Sequence, residues 1–119
     1  MTTLKCAGIG YAKAQREVKN TDLAQIVDTS DAWIQSRTGI CSRYITETEN
    51  TSDLAVRASV KALEDAKKSS EDIDAILCCT VTADCTTPST ASLIQGKLGC
   101  KKTFLSLISM RHVRALFMA

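Results

Sequence analysis

The chain has 119 residues, 45% hydrophobic and 24% charged, with a net charge of +2, which suits one domain or half of one. Its basic residues are spread along the sequence, which excludes the electrostatic footprint of a nucleic-acid binder. The start, Met1-Thr2-Thr3-Leu4-Lys5, does not read as a leader, and no apolar run is longer than the five residues of Ala75 to Cys79, too short to span a bilayer, so the reading is a soluble, cytoplasmic chain without a membrane or nucleic-acid partner. The six cysteines (Cys6, Cys41, Cys78, Cys79, Cys85, Cys100) are then reduced thiols, and with no Cys-x-x-Cys pair no metal site is expected.

Leu4 to Tyr11 mixes apolar residues with Gly8 and Gly10, the pattern of a short buried strand whose backbone closely approaches a neighbour. Asn20 or Thr21 can cap a short helix running through Val27. Ser30 can cap a second, from Asp31 to about Thr38, with Gly39 placed to end it. After Thr51 and Ser52, Val56, Val60 and Leu63 recur at helical spacing, while Arg57, Lys61 and Glu64 share the other side, so this longer helix is expected to cover a sheet. Ile73 to Val81 reads as a strand buried on both faces. Pro88 and Ser89 open another helix that ends near Gly99, with room for a strand after Lys102. This alternation gives an α/β fold with a mixed, largely parallel sheet covered by helices.

The most informative stretch is Asp28-Thr29-Ser30-Asp31-Ala32-Trp33-Ile34-Gln35-Ser36-Arg37-Thr38-Gly39-Ile40, with Arg43 and Tyr44 just beyond. Trp33 and Arg37 are four apart and so share a helix face, setting a flat aromatic beside a planar cation. That pair suits a nucleotide base and its phosphates, by stacking and charge-assisted hydrogen bonds. Taken alone, such a pair is more often packing plus a solvated charge. The segment as a whole resembles the Asp-Thr-Ser-Asp-x-Trp-Ile-x-x-Arg-Thr-Gly-Ile signature of the β-ketoacyl-acyl-carrier-protein synthase III family, and the resemblance continues to about Lys102.

The resemblance implies the thiolase fold, of which residues 1–102 would supply an incomplete N-terminal half, usually paired as a homodimer. It implies that Thr29, Trp33 and Arg37 contact the nucleotide end of coenzyme A. The implied reaction joins acyl-coenzyme A to malonyl-acyl-carrier protein, giving 3-oxoacyl-acyl-carrier protein, CO2 and coenzyme A through a Cys, His and Asn set. Coenzyme A thioester is then a substrate, and no permanently bound cofactor is expected. Thr87 stands where many members carry a bulky aromatic, which leads to an expectation of primers larger than acetyl. Type III polyketide synthases and hydroxymethylglutaryl-coenzyme A synthases are the enzyme alternatives, and Trp33 with Arg37 points away from both.

None of the six cysteines holds the place of the family's nucleophile, so no catalytic residue is assigned. Cys78 and Cys79 read as strand packing and Cys85 as a loop thiol. At the expected place stands Leu107 to Ala119, which departs from the family. If each codon is shifted by one base, Met110, Arg111, His112 and Val113 can read Ala-Ala-Cys, and the longer run can read Asp-Ile-Asn-Ala-Ala-Cys-Thr-Gly-Phe-Ile-Tyr-Gly. The expectation is therefore an out-of-frame tail over residues 103–119, a one-base loss between about Lys101 and Leu107, and a chain without condensing activity by itself. The alternative is a non-catalytic module that binds coenzyme A or pairs with an intact synthase.

Overall fold

The computed structural model describes residue 3, residues 5–101 and the backbone of residues 105–109. The remainder of the expected out-of-frame tail, including His112, lies outside the described residues. The chain forms two compact units, one of residues 13–49 and one of the described residues before and after them.

In the smaller unit, strand β1 (Arg16–Lys19) pairs antiparallel with strand β2 (Ser42–Ile45), Val18 lying opposite Arg43. This ribbon was not foreseen, because only Val18 among the four polar-rich residues of β1 is buried and no apolar alternation marks it. Helix α1 spans Asn20–Leu23, shorter than the expected run through Val27, and the turn to Val27 closes through hydrogen bonds to Leu23. The residue before α1, Lys19, takes the cap position, its amide donating to the Asp22 carboxylate at 2.9 Å.

Helix α2 spans Asp31–Thr38, as the capping signals require. Ser30 Oγ accepts the Trp33 amide at 3.2 Å, and Gly39 ends the helix at φ 71°, the left-handed conformation that glycine adopts without a Cβ penalty.

In the larger unit, helix α3 (Thr51–Ala66) is preceded by Asn50, whose amide donates to Asp53 at 3.0 Å. The Ser52 amide donates to the Asp84 carboxylate at 3.1 Å, so a second carboxylate meets the free N–H groups of the first turn. Lys97 Nζ donates to Ser52 Oγ and to Asp53 Oδ1, both at 2.6 Å. Strand β3 (Ala75–Cys79), helix α4 (Thr90–Leu98) and strand β4 (Leu105–Ser109) form a parallel crossover, Ala75 pairing with Leu105 and Cys79 with Ser109. Ser89 caps α4 and Gly99 closes it, while Ala91 and Ile94 are buried. The α/β class and the parallel pairing thus match the reading from sequence.

Three expectations need correction. The segment Leu4 to Tyr11 forms no strand over its described residues. The close approach that its glycines require is instead made to α3, with Gly8 and Gly10 lying against the backbone of Ala58, Ala62 and Ala66. Helix α3 therefore receives the N-terminal segment on its alanine stripe and packs on α4, and Val60 is left exposed. On β3, burial alternates instead of holding on both faces: Ile76 and Cys78 are half-buried, while Leu77 and Cys79 are exposed.

Candidate functional site

The residues singled out by sequence lie on α2 and the loop that leads into it. Asp28, Thr29, Ser30 and Trp33 line a cavity of about 300 Å³. Thr29 and Trp33 are thus brought together. Arg37 sits one turn further along α2, exposed, and outside that lining. Its charge lies in the last turn, where a cation also complements the helix dipole.

Two features mark the lining of this cavity. Thr29 Oγ1 is buried and has no hydrogen-bond partner among the described residues, a costly state for a hydroxyl that Thr90 Oγ1 in α4 shares. Trp33 is 58% exposed although it is the chain's single tryptophan and its largest apolar side chain. Packing does not account for it, so the reading as a buried packing residue is not met. Asp28, at the rim, disfavours an anion at that end, whereas Arg37 favours one a turn away.

The frame that holds α2 gives Asn20 and Arg43 a part that the sequence reading did not assign them. Asn20, at the start of α1, is 1% exposed, and its amide donates to Asp31 Oδ1 and to the Ile40 carbonyl, both at 2.7 Å. Its Oδ1 accepts from Arg43 Nη2 at 2.5 Å, and Arg43 Nη1 also donates to the Val18 carbonyl at 3.4 Å. Gln35 donates to both carboxylate oxygens of Asp31 at 2.8 Å. The Gln35 and Asn20 hydrogen bonds hold the Asp31 carboxyl below its ordinary value, against a small opposing effect of burial. Asparagine at position 20 is recognisable from sequence as a cap candidate; its link to Arg43 spans 23 residues and leaves no periodic trace.

The cysteines are dispersed. Burial raises the Cys78 thiol above its ordinary value, with Cys79 and Asp84 adding to the shift, so it is held as the un-ionised thiol. Cys79 is exposed, which departs from the packing role expected for it. Cys85 donates to the Pro88 carbonyl at 3.4 Å within a loop whose Thr87–Pro88 peptide is cis. No group of three His, Cys, Asp or Glu side chains able to hold a metal occurs among the described residues, and no described helix is long and apolar enough to cross a membrane.

No protein-family model matches the chain. It is 51% identical over 104 residues to a β-ketoacyl-[acyl-carrier-protein] synthase III of Clostridium perfringens, covering 87% of this chain and 32% of that protein. Over 100 residues it is also 51% identical to the synthase III of Neisseria gonorrhoeae, with 83% and 31% covered. The chain thus spans about a third of the length of the curated relatives it matches. Among solved structures, the 3-oxoacyl-[acyl-carrier-protein] synthase III of Aquifex aeolicus superposes with a TM-score of 0.80 at 38% identity, covering 87% of this chain and 34% of that one. The priming β-ketosynthase of the R1128 polyketide pathway gives a TM-score of 0.80 at 33% identity, over 88% and 32%. Over the third of their length that it spans, the chain is a homologue of the β-ketoacyl-[acyl-carrier-protein] synthases III and carries part of their thiolase-like α/β fold.

Proposed function

We propose that this chain supplies the nucleotide-binding surface of a condensing enzyme that starts fatty-acid synthesis from an acyl-coenzyme A and malonyl-acyl-carrier protein. The observation that carries the reading is the buried, unpaired Thr29 hydroxyl beside an exposed Trp33, on the segment shared with the synthase III relatives. Trp33 offers its face to the adenine and Thr29 Oγ1 a hydrogen bond, while Arg37 draws the phosphates away from Asp28. Coenzyme A thioester is substrate in this reading, no cofactor is permanently bound, and the working enzyme is a homodimer in the cytoplasm.

These 119 residues assign no nucleophile, so by themselves they carry out no condensation. Residues 103–119 are an out-of-frame reading of the segment that would encode the Ala-Ala-Cys motif, and resequencing the gene through codons 100 to 119 and onward tests that directly. Thr87 is exposed and small, which supports tolerance of primers longer than acetyl in an enzyme of the relatives' full length. Equal or better turnover of acetyl-coenzyme A there contradicts it.

The binding test uses Trp33 itself. Coenzyme A should quench its emission, pantetheine should not, and Trp33→Ala should abolish heat release on calorimetric titration. Equal responses to coenzyme A and pantetheine would remove the nucleotide from the reading. A non-catalytic role, binding coenzyme A or pairing with an intact synthase, is the second reading, favoured by the same exposed Trp33 if the chain binds coenzyme A without any condensing partner.

A further inference from the structure

We infer that Asn20 is the positioning residue of the nucleotide-facing helix, its carboxamide setting where α2 presents Trp33 and Arg37. The consequence for ligand affinity rests on the function proposed above, whereas the positioning itself does not.

The argument starts from what α2 lacks. None of its eight residues is buried, and only Asp31 and Ile34 are half-buried. Little apolar area therefore fixes its place within residues 13–49, and polar contacts must do so. The contacts converge on one side chain. Asn20 Nδ2 spends one hydrogen on Asp31, the first residue of α2, and the other on the carbonyl of Ile40, the residue after the Gly39 cap. A single buried carboxamide thus holds both ends of the helix.

The same group is anchored on its other side. Asn20 Oδ1 accepts from Arg43 on β2, and the residue is also fixed through its backbone, its main-chain N–H donating to the Cys41 carbonyl at 3.3 Å. Both carboxamide hydrogens are committed and the oxygen is taken by a cation, so the requirement is for asparagine and not merely for a polar residue. A carboxylate of the same size keeps the Arg43 contact but has no hydrogen to give, and would face Asp31 and the Ile40 carbonyl with lone pairs. Asn20→Asp is therefore a nearly isosteric change that releases α2 while leaving Arg43 paired.

The test uses the 119-residue chain, in which Trp33 is the only tryptophan and its emission reports α2 alone. In the ligand-free protein, Asn20→Asp should change the anisotropy and acrylamide quenching of Trp33 with the far-ultraviolet dichroism retained. Asn50→Asp, at the cap of α3, should leave Trp33 as in the wild type. Adding Asp31→Asn to Asn20→Asp reverses donor and acceptor and should return the Trp33 signals toward wild type, a rescue that general destabilisation would not give. Coenzyme A affinity should fall on the order of tenfold in Asn20→Asp, the loss expected for a hydrogen bond to a charged group.

Wild-type Trp33 anisotropy and quenching in Asn20→Asp overturn the inference. Should that variant lose its dichroism, Asn20→Ala, which removes both donors without adding a charge, takes its place, and unchanged Trp33 signals there overturn it equally. If the wild type shows no response to coenzyme A while Trp33 still responds to Asn20→Asp, the positioning stands and the proposed function falls.

Discussion

Replacing Gly10 by alanine sets two physical effects against each other, and the structure decides the sign. Alanine restricts the unfolded chain and, at a compatible site, stabilises by about 0.4–1 kcal/mol. Gly10 is not compatible: a Cβ there would overlap the Ala58 carbonyl oxygen and the Ala62 amide nitrogen and lie 3.1 Å from Ala62 Cα. These are backbone atoms of a 16-residue helix, so none can swing aside as a side-chain tip would. Neither Gly10 nor Gly8 adopts a positive φ, so the cost is steric overpacking alone, about 1–3 kcal/mol and here toward the upper end. The net expectation is a loss of about 2 kcal/mol after the chain-entropy gain. Gly96, inside α4, has nothing within 4 Å of its added Cβ, so the same substitution there should gain about 1 kcal/mol. The two variants should differ by about 3 kcal/mol, or roughly 2 M in urea midpoint at a slope of about 1.5 kcal/mol per molar. Urea unfolding followed by far-ultraviolet dichroism measures both. A Gly10→Ala midpoint at or above wild type would refute the placement of the N-terminal segment against α3.

Ser30→Ala removes the acceptor of the Trp33 amide and should cost about 1 kcal/mol, with hydrogen exchange of the Trp33 amide rising and that of α3 unchanged. Asp31 is depressed below 3.8, so the stability its hydrogen bonds confer is present above that value and is lost as pH falls below it. Trp33 emission should accordingly titrate with a midpoint under 3.8 that Gln35→Leu moves upward, and an unmoved midpoint contradicts the assignment. Lys97→Met removes the hydrogen bond that chiefly lowers the Asp53 carboxyl, so its titration, followed by carboxyl NMR, should rise toward the ordinary value, and a fixed value would show that the Asn50 amide alone sets it.

How much of this was legible depended on the range of the forces involved. Helices α2 and α4 could be bounded from sequence because local devices end them: Ser30 and Gly39, Ser89 and Gly99. The limits of β3 were less certain, since Ile73 and Val81 are apolar but only Ala75 to Cys79 finds a partner strand. Gly8 and Gly10 announced a close approach, yet the sequence could not say to what, and an alanine stripe on α3 accepts a backbone as readily as a strand does. The β1–β2 ribbon was hidden because Val18 is the one apolar residue of β1 and Tyr44 and Ile45 are adjacent in β2, so neither strand alternates, and the Arg43 link to Asn20 spans 23 residues. At the site, Trp33 and Arg37 could be read from a four-residue spacing, whereas the frame that aims them comes from side chains distant in sequence.

That division also bears on the kind of chemistry residues 28–37 can perform. Catalytic groups are usually recognised by shifted ionisation in a cleft. Asp31 is lowered by amides that hold a helix, Asp53 is lowered chiefly by Lys97, and Cys78 is raised by burial in a strand. None of them lines the Thr29 cavity. What lines it is Thr29, whose buried hydroxyl has no partner among the described residues, and an aromatic that the fold leaves exposed, next to a loop that also exposes Ile26 and Val27. A fold gains nothing from an exposed indole, and it pays for a buried hydroxyl left unpaired. In the proposed function both features are accounted for by a ligand that stacks and accepts a hydrogen bond, so the work proposed for this surface is recognition, with α2 holding one end of a substrate and Asn20 keeping the helix where that end must land.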